Sequence, residues 1–129
     1  MSSPRPRLLG ASSCLLVSDL ARSIAFYCDQ LGFAEPVVWG EPPCFAVVNR
    51  DGFDLMLNLA PEPERIRPSG LDGFWDVYLR VEDARAEAVL LRAAGVALEA
   101  DLADTEYRMT EFEVVDPDGY RICFGSSND

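Results

Sequence analysis

The chain makes the same turn twice. Asp51-Gly52-Phe53-Asp54-Leu55-Met56-Leu57 and Asp118-Gly119-Tyr120-Arg121-Ile122-Cys123-Phe124 share one pattern: Asp-Gly, an aromatic, a polar residue, an aliphatic, a sulfur side chain and an apolar residue. Their glycines stand 67 residues apart, and Val17-Ser18-Asp19 precedes Val81-Glu82-Asp83 by 64. Each of the latter leads into a helical pattern, and these patterns end Leu31-Gly32-Phe33 and Ala94-Gly95-Val96. Three landmarks in one order at nearly one spacing mark a duplicated unit of about half the chain. A length of 129 residues accommodates both copies in one domain with a real core.

Each unit begins with a strand. Ser13, Leu15 and Val17 alternate with Ser12, Cys14 and Leu16, as Val77, Leu79 and Val81 alternate with Asp76, Tyr78 and Arg80. A helix follows, capped by Ser18 or Asp19 in the first unit and by Glu82 or Asp83 in the second. Leu20, Ile24, Tyr27 and Leu31 share one face of the first helix, and Gly32 and Gly95 suit left-handed C-caps. Three strands then follow in each unit, near 35–39, 43–49 and 53–60, and near 97–102, 108–115 and 120–125. The proline-rich stretch from Pro61 to Gly70 reads as a connection. The expectation is an α+β fold of two tandem βαβββ modules in one domain, 1–129. The modules cover about 8–60 and 73–126, with a linker over 61–72.

Charge removes one class of partner. The net charge is −11 and every basic residue is Arg, so the clustered positive surface of a nucleic-acid binder is missing. No apolar run approaches the ~18 residues that a membrane-spanning helix needs. Arg5 and Arg7 ahead of Leu8-Leu9 resemble a short export signal, but Ser12 and Ser13 dilute its apolar core. Cys14, Cys28, Cys44 and Cys123 show no paired spacing and read as reduced thiols, which favours a cytoplasmic location.

Val17-Ser18-Asp19-Leu20, Ser23, Phe26-Tyr27, Leu31-Gly32-Phe33 and Asp116-Pro117-Asp118-Gly119 together resemble the vicinal oxygen chelate superfamily, over about residues 11–125. That group contains glyoxalase I, extradiol dioxygenases and bleomycin resistance proteins. The resemblance implies that the two sheets curl into a cup with the helices outside, and that two chains form a dimer. In the metalloenzymes of the group, His and Glu side chains on four strands hold a divalent ion. The corresponding positions here are Ser12, Met56, Asp76 and Cys123, and the chain has no His. A thioether and a neutral hydroxyl are poor ligands for hard or borderline divalent ions, so no metal and no cofactor are expected.

Strand alternation then assigns a lining. Ser12, Met56, Asp76, Tyr78, Glu111, Glu113, Arg121 and Cys123 face the cup, with Trp39, Phe45, Trp75 and Tyr107 near its rims. Apolar and aromatic walls with a few convergent polar groups suit a small molecule. The leading expectation is a metal-independent protein that sequesters an antibiotic or another cationic or aromatic compound, as bleomycin resistance proteins do. Aromatic faces would stack on flat rings, and carboxylates would draw in a cation. One alternative is a metal-free enzyme using Asp76, Glu111 or Glu113 as general base, or Cys123 as nucleophile. The other is a degenerate interaction module. Every polar position also has a structural reading, Asp76 most of all, because a mid-strand carboxylate needs a partner when buried.

Overall fold

The computed structural model describes residues 4–129, with Glu35 described by its backbone alone. In chain order the elements are β1 (Ser13–Val17), α1 (Leu20–Ala25), β2 (Ala34–Trp39), β3 (Phe45–Arg50), β4 (Phe53–Leu59), β5 (Val77–Arg80), α2 (Ala84–Ala93), β6 (Ala100–Asp104), β7 (Met109–Val115) and β8 (Arg121–Ser127). They form two four-stranded sheets of identical topology, ordered β1-β4-β3-β2 and β5-β8-β7-β6. The first strand of each pairs in parallel with the last, and the other pairs are antiparallel. This is the α+β arrangement of two βαβββ modules that the repeat implies.

Alternation sorts each strand into two faces. Leu15, Val17, Ala46, Val48, Leu55 and Leu57 of the first sheet are buried against α1, as Val77, Phe112, Val114, Ile122 and Phe124 of the second are against α2. Phe112 and Phe124 stack with ring centroids 5.1 Å apart. Removing either ring to Ala would cost about 3–5 kcal/mol through lost transfer energy and a residual cavity. The opposite faces carry no helix, and they hold the polar and aromatic residues between the core positions.

Local chemistry explains the element boundaries. Asp19 and Asp83, not Ser18 or Glu82, cap the helices by accepting from the N–H groups of Arg22 and Ala86. The first helix is regular only to Ala25. Over Phe26–Gln30 it widens into a π-turn, with Leu31 N–H bonded to Phe26 O. Leu20, Ser23, Tyr27 and Leu31 are buried as a result, while Ile24, expected on that face, is half-buried at its flank. The sixth strand begins three residues later than its pattern suggests. A register irregularity lies between Ala100 and Ala103, and Glu99 N–H still bonds Glu113 O ahead of it. The linker is built rather than slack, with 3₁₀ turns at Pro63–Arg65 and Ser69–Asp72.

The modules meet through a few specific contacts at their helix-bearing side. Tyr27 Oη donates to buried Asp116 (2.6 Å), and Ser18 Oγ donates to Asp118 (2.6 Å). Arg50 reaches across to Glu87 on α2 while also donating to Leu31 O. Tyr120 Oη donates to Leu16 O (2.7 Å) and accepts from Leu16 N (3.1 Å), covering the free edge of β1. The twice-used Asp-Gly turn therefore does different work in each copy. Its second occurrence fastens the modules together.

Candidate functional site

The helix-free face of the second sheet gathers seven of the residues picked out from the sequence. Glu111 and Glu113 project from β7, Arg121 and Cys123 from β8 and Tyr78 from β5, with Trp75 and Tyr107 at the ends. Tyr78 Oη donates to Glu111 Oε2 at 2.7 Å. Tyr107 Oη approaches both oxygens of the same carboxylate, at 2.7 and 2.8 Å. Trp75 Nε1 donates to Glu113 Oε2 at 3.0 Å, and Arg121 Nη1 donates to Glu113 Oε1 at 2.6 Å. The Trp75 and Tyr78 rings lie 4.8 Å apart at their centroids. Two carboxylates thus sit in a frame of three aromatic rings and one guanidinium, with each carboxylate oxygen engaged.

One residue that makes this possible carries no side chain. Glu111 stands opposite Gly125 in the β7–β8 register, and Arg80 pairs with Gly125 from the other side. A Cβ at Gly125 would lie 1.9 Å from Tyr78 Oη. Only glycine therefore lets the phenol lie across β8 and reach Glu111. A lone glycine inside an apolar strand pattern was the available signal, since such glycines mark close approaches.

The electrostatics follow from burial beside charge. Burial, then the bond to Glu111, pushes the Tyr78 phenol well above its usual range. Tyr107, bonded to the same carboxylate, is pushed up to about 12. Cys123 is fully buried, and burial together with the charges of Glu111 and Glu113 pushes its thiol up to about 12. A thiol so held is overwhelmingly protonated near neutrality, the opposite of an activated nucleophile.

Asp76 belongs to the backbone. Its carboxylate accepts from the N–H groups of Ser69 (2.6 Å), Gly70 (2.9 Å) and Arg121 (2.8 Å), tying the linker to the start of β8. Gly70 packs so closely there that a Cβ on it would come within 2.8 Å of Arg121 Cβ. Neither the Arg80 nor the Arg121 side chain satisfies Asp76. Three main-chain donors do.

The remaining positions lie on the first module. Met56 is half-buried between Cys14 on β1 and Val47 on β3, and Asn58 donates to Cys14 Sγ at 2.8 Å. Trp39 and Phe45 face each other at 5.4 Å, with Trp39 half exposed. Ser12 is exposed just ahead of β1. Among the described residues, no side-chain hydrogen bond joins this group to the Glu111–Glu113 cluster.

The four positions matching the metal-ligand slots do not fit a divalent ion. Asp76 has its oxygens committed, the Cys123 thiol is held protonated, and Met56 and Ser12 offer a thioether and a hydroxyl. Among the described residues, no group of three or more His, Cys, Asp or Glu side chains is placed to hold a metal. No helix there is long and apolar enough to cross a membrane.

A fold of two βαβββ modules, with an aromatic and acidic helix-free face, defines a class of small domains that serve both catalysis and binding. The chain belongs to the Glyoxalase/Bleomycin resistance protein/Dioxygenase superfamily, whose family model matches residues 11–124. It matches none of the curated proteins. Among solved structures it shares its fold with TnmS3, an antibiotic binding protein from Streptomyces sp. CB03234. The TM-score is 0.75 at 21% identity, covering 96% of this chain and 99% of that one. TioX from Micromonospora sp. ML1 gives 0.74 at 19% identity, covering 92% and 98%. UcmS2 gives 0.71 at 23% identity, covering 96% and 100%.

Proposed function

We propose that the protein binds and sequesters a small planar aromatic molecule, preferably a cationic one, without a metal and without turning it over. The observation that carries this reading is the frame of Trp75, Tyr78 and Tyr107 around Glu111 and Glu113. Rings that are already positioned lose little entropy on binding, and two carboxylates in a partly dry face attract a cation. The shared fold with TnmS3, an antibiotic binding protein, supports an antibiotic as the ligand. The first-module face, with Trp39, Phe45 and Met56, would supply the opposite wall. In this reading a second copy of the chain brings it into place, so that a homodimer holds two sites. The working location is the cytoplasm, where a sequestering protein meets a drug that has entered the cell.

Trp39 and Trp75 are the only tryptophans, so intrinsic fluorescence reports on both walls. Ethidium and a panel of aromatic antibiotics are titrated with and without EDTA, alongside thermal melts. Quenching with a raised melting temperature, unaffected by chelator, is the expected result. A ligand that binds only with added divalent metal, or emerges chemically altered, would reject the proposal.

A further inference from the structure

Glu111 and Glu113 stand two residues apart on one face of β7, yet their partners give them different charge. Arg121 Nη1 donates to Glu113 at 2.6 Å, and the two side chains are only 19% and 21% exposed. Water and salt screen so sheltered a pair poorly, and the guanidinium cancels most of the charge that Glu113 would show a ligand. The other oxygen of Glu113 accepts from Trp75 Nε1. Arg121, Glu113 and Trp75 thus form a chain that holds the indole by its N–H edge, with Trp75 still 41% exposed.

Glu111 has no counter-ion. Among the described residues, no guanidinium pairs with it. Its donors are the phenols of Tyr78 and Tyr107, both pushed above their usual range, so they stay protonated and offset no charge. Strand register keeps Arg121 away, because it stands opposite Val115, four residues or about 13 Å of strand beyond Glu111. Arg80 pairs with Gly125 across from Glu111, but it lines the cleft between the modules and bonds neither carboxylate. Glu111 also has spare acceptor capacity. Tyr107 Oη lies near both oxygens with one proton to give, so two donors serve a carboxylate with about four acceptor sites.

We propose that Glu111 alone recognises the cation of the ligand and selects a hydrogen-bonding one, a primary or secondary ammonium on a flat aromatic ring, while Glu113 is a positioning residue that holds Trp75 for the ring. This rests on the sequestering reading above and narrows its ligand class. An ammonium beside Glu111 brings its charge close and fills the vacant acceptor sites with N–H donors. A quaternary nitrogen keeps the charge, but its methyl groups hold it further off and donate nothing. The Trp75 and Tyr78 rings, 4.8 Å apart at their centroids, lie beside that position through the Tyr78 bond to Glu111.

Three probes with one ring test it: 1-naphthylmethylamine, its N,N,N-trimethyl derivative and 1-naphthalenemethanol. Each is titrated calorimetrically into the full chain, unmodified and as Glu111→Gln or Glu113→Gln. Both variants remove one charge from a chain of net charge −11, so the long-range field falls equally and only local chemistry separates them. The unmodified chain should bind the amine at least tenfold tighter than the alcohol, with the trimethyl compound between them. Glu111→Gln should bring all three within about twofold of one another while the alcohol binds as before. Glu113→Gln should weaken all three together and keep the preference for the amine. In a Trp39→Phe background without ligand, emission reports Trp75 alone, and Glu113→Gln should lower its anisotropy. If no probe binds the unmodified chain at millimolar concentration, the sequestering reading fails and this inference with it. Equal binding of the three by the unmodified chain overturns the inference alone. So does a preference that survives Glu111→Gln or disappears in Glu113→Gln. Loss of the alcohol in Glu111→Gln would assign that residue a structural role, and unchanged anisotropy in Glu113→Gln would remove its positioning role; either overturns the proposal.

Discussion

Tyr78 reaches Glu111 by crossing the intervening strand at Gly125, where a Cβ would lie 1.9 Å from the phenol oxygen. A backbone position thereby controls two side chains on neighbouring strands. Gly125→Ala should expel the Tyr78 ring while the strand itself persists, because the obstructing atom is the far end of a mobile side chain. Losing one hydrogen bond to a charged acceptor predicts a stability decrease of about 1.5–3 kcal/mol. The Tyr78 phenol should also move back down toward its ordinary value, visible in an alkaline ultraviolet titration of the tyrosines. A variant with the wild-type titration would show that the crossing does not hold the phenol.

Cys123 should behave as buried packing. With its thiol held at about 12, the thiolate at pH 8 amounts to roughly one part in ten thousand. Cys14 and Cys44 are exposed. Iodoacetamide at pH 8 should therefore label Cys14 and Cys44 in the folded protein and reach Cys123 only after denaturation, as peptide mass mapping would show. Labelling of Cys123 at a rate comparable with Cys14 would reopen the case for a nucleophile.

Asp76 and Glu111 should fail in different ways. Asp76→Asn replaces an acceptor of three main-chain N–H groups with a side chain that brings N–H donors of its own, a predicted loss of about 2–3 kcal/mol in denaturant unfolding. Glu111→Gln leaves the linker tied down and removes a charge from the aromatic frame. It should weaken ethidium binding at least tenfold and flatten its salt dependence. If Asp76→Asn lost binding at unchanged stability, the anchoring role assigned to it would be wrong.

The burial of Asp116 predicts a pH dependence. Burial is the main influence on the Asp116 carboxyl and raises it above the usual 3.8, against the hydrogen bonds from Tyr27, Tyr120 and Asp118 that lower it. A folded-state value above the unfolded one means that the folded chain holds the proton more tightly. The associated stability is fully present below about pH 3.8 and is lost as pH rises through the raised folded value. The stability difference between wild type and Asp116→Asn should therefore shift against wild type across that window. Urea titrations at a series of pH values would measure it, and a pH-independent difference would contradict the assignment.

Much of the architecture was legible because periodicity and turn chemistry are local. The Asp-Gly turns, the alternation of Phe112 and Val114 with Glu111 and Glu113, and the helix-ending glycines all act within a few residues. Repeated twice, they specify two βαβββ modules. Composition alone also removed imidazole from the ligand slots, since the chain has no His. What periodicity could not supply was the partner of each polar group. Asp76 is separated by 45 residues from Arg121, whose N–H it accepts, and Tyr78 by 33 from Glu111. Those pairings depend on strand order and on the absence of a Cβ at Gly125. The same holds for Phe53 and Tyr120, nearly identical in the repeat yet one exposed and one buried. A hydroxyl can satisfy the edge of a neighbouring strand and a phenyl ring cannot, and only the packing of one module against the other makes that difference count.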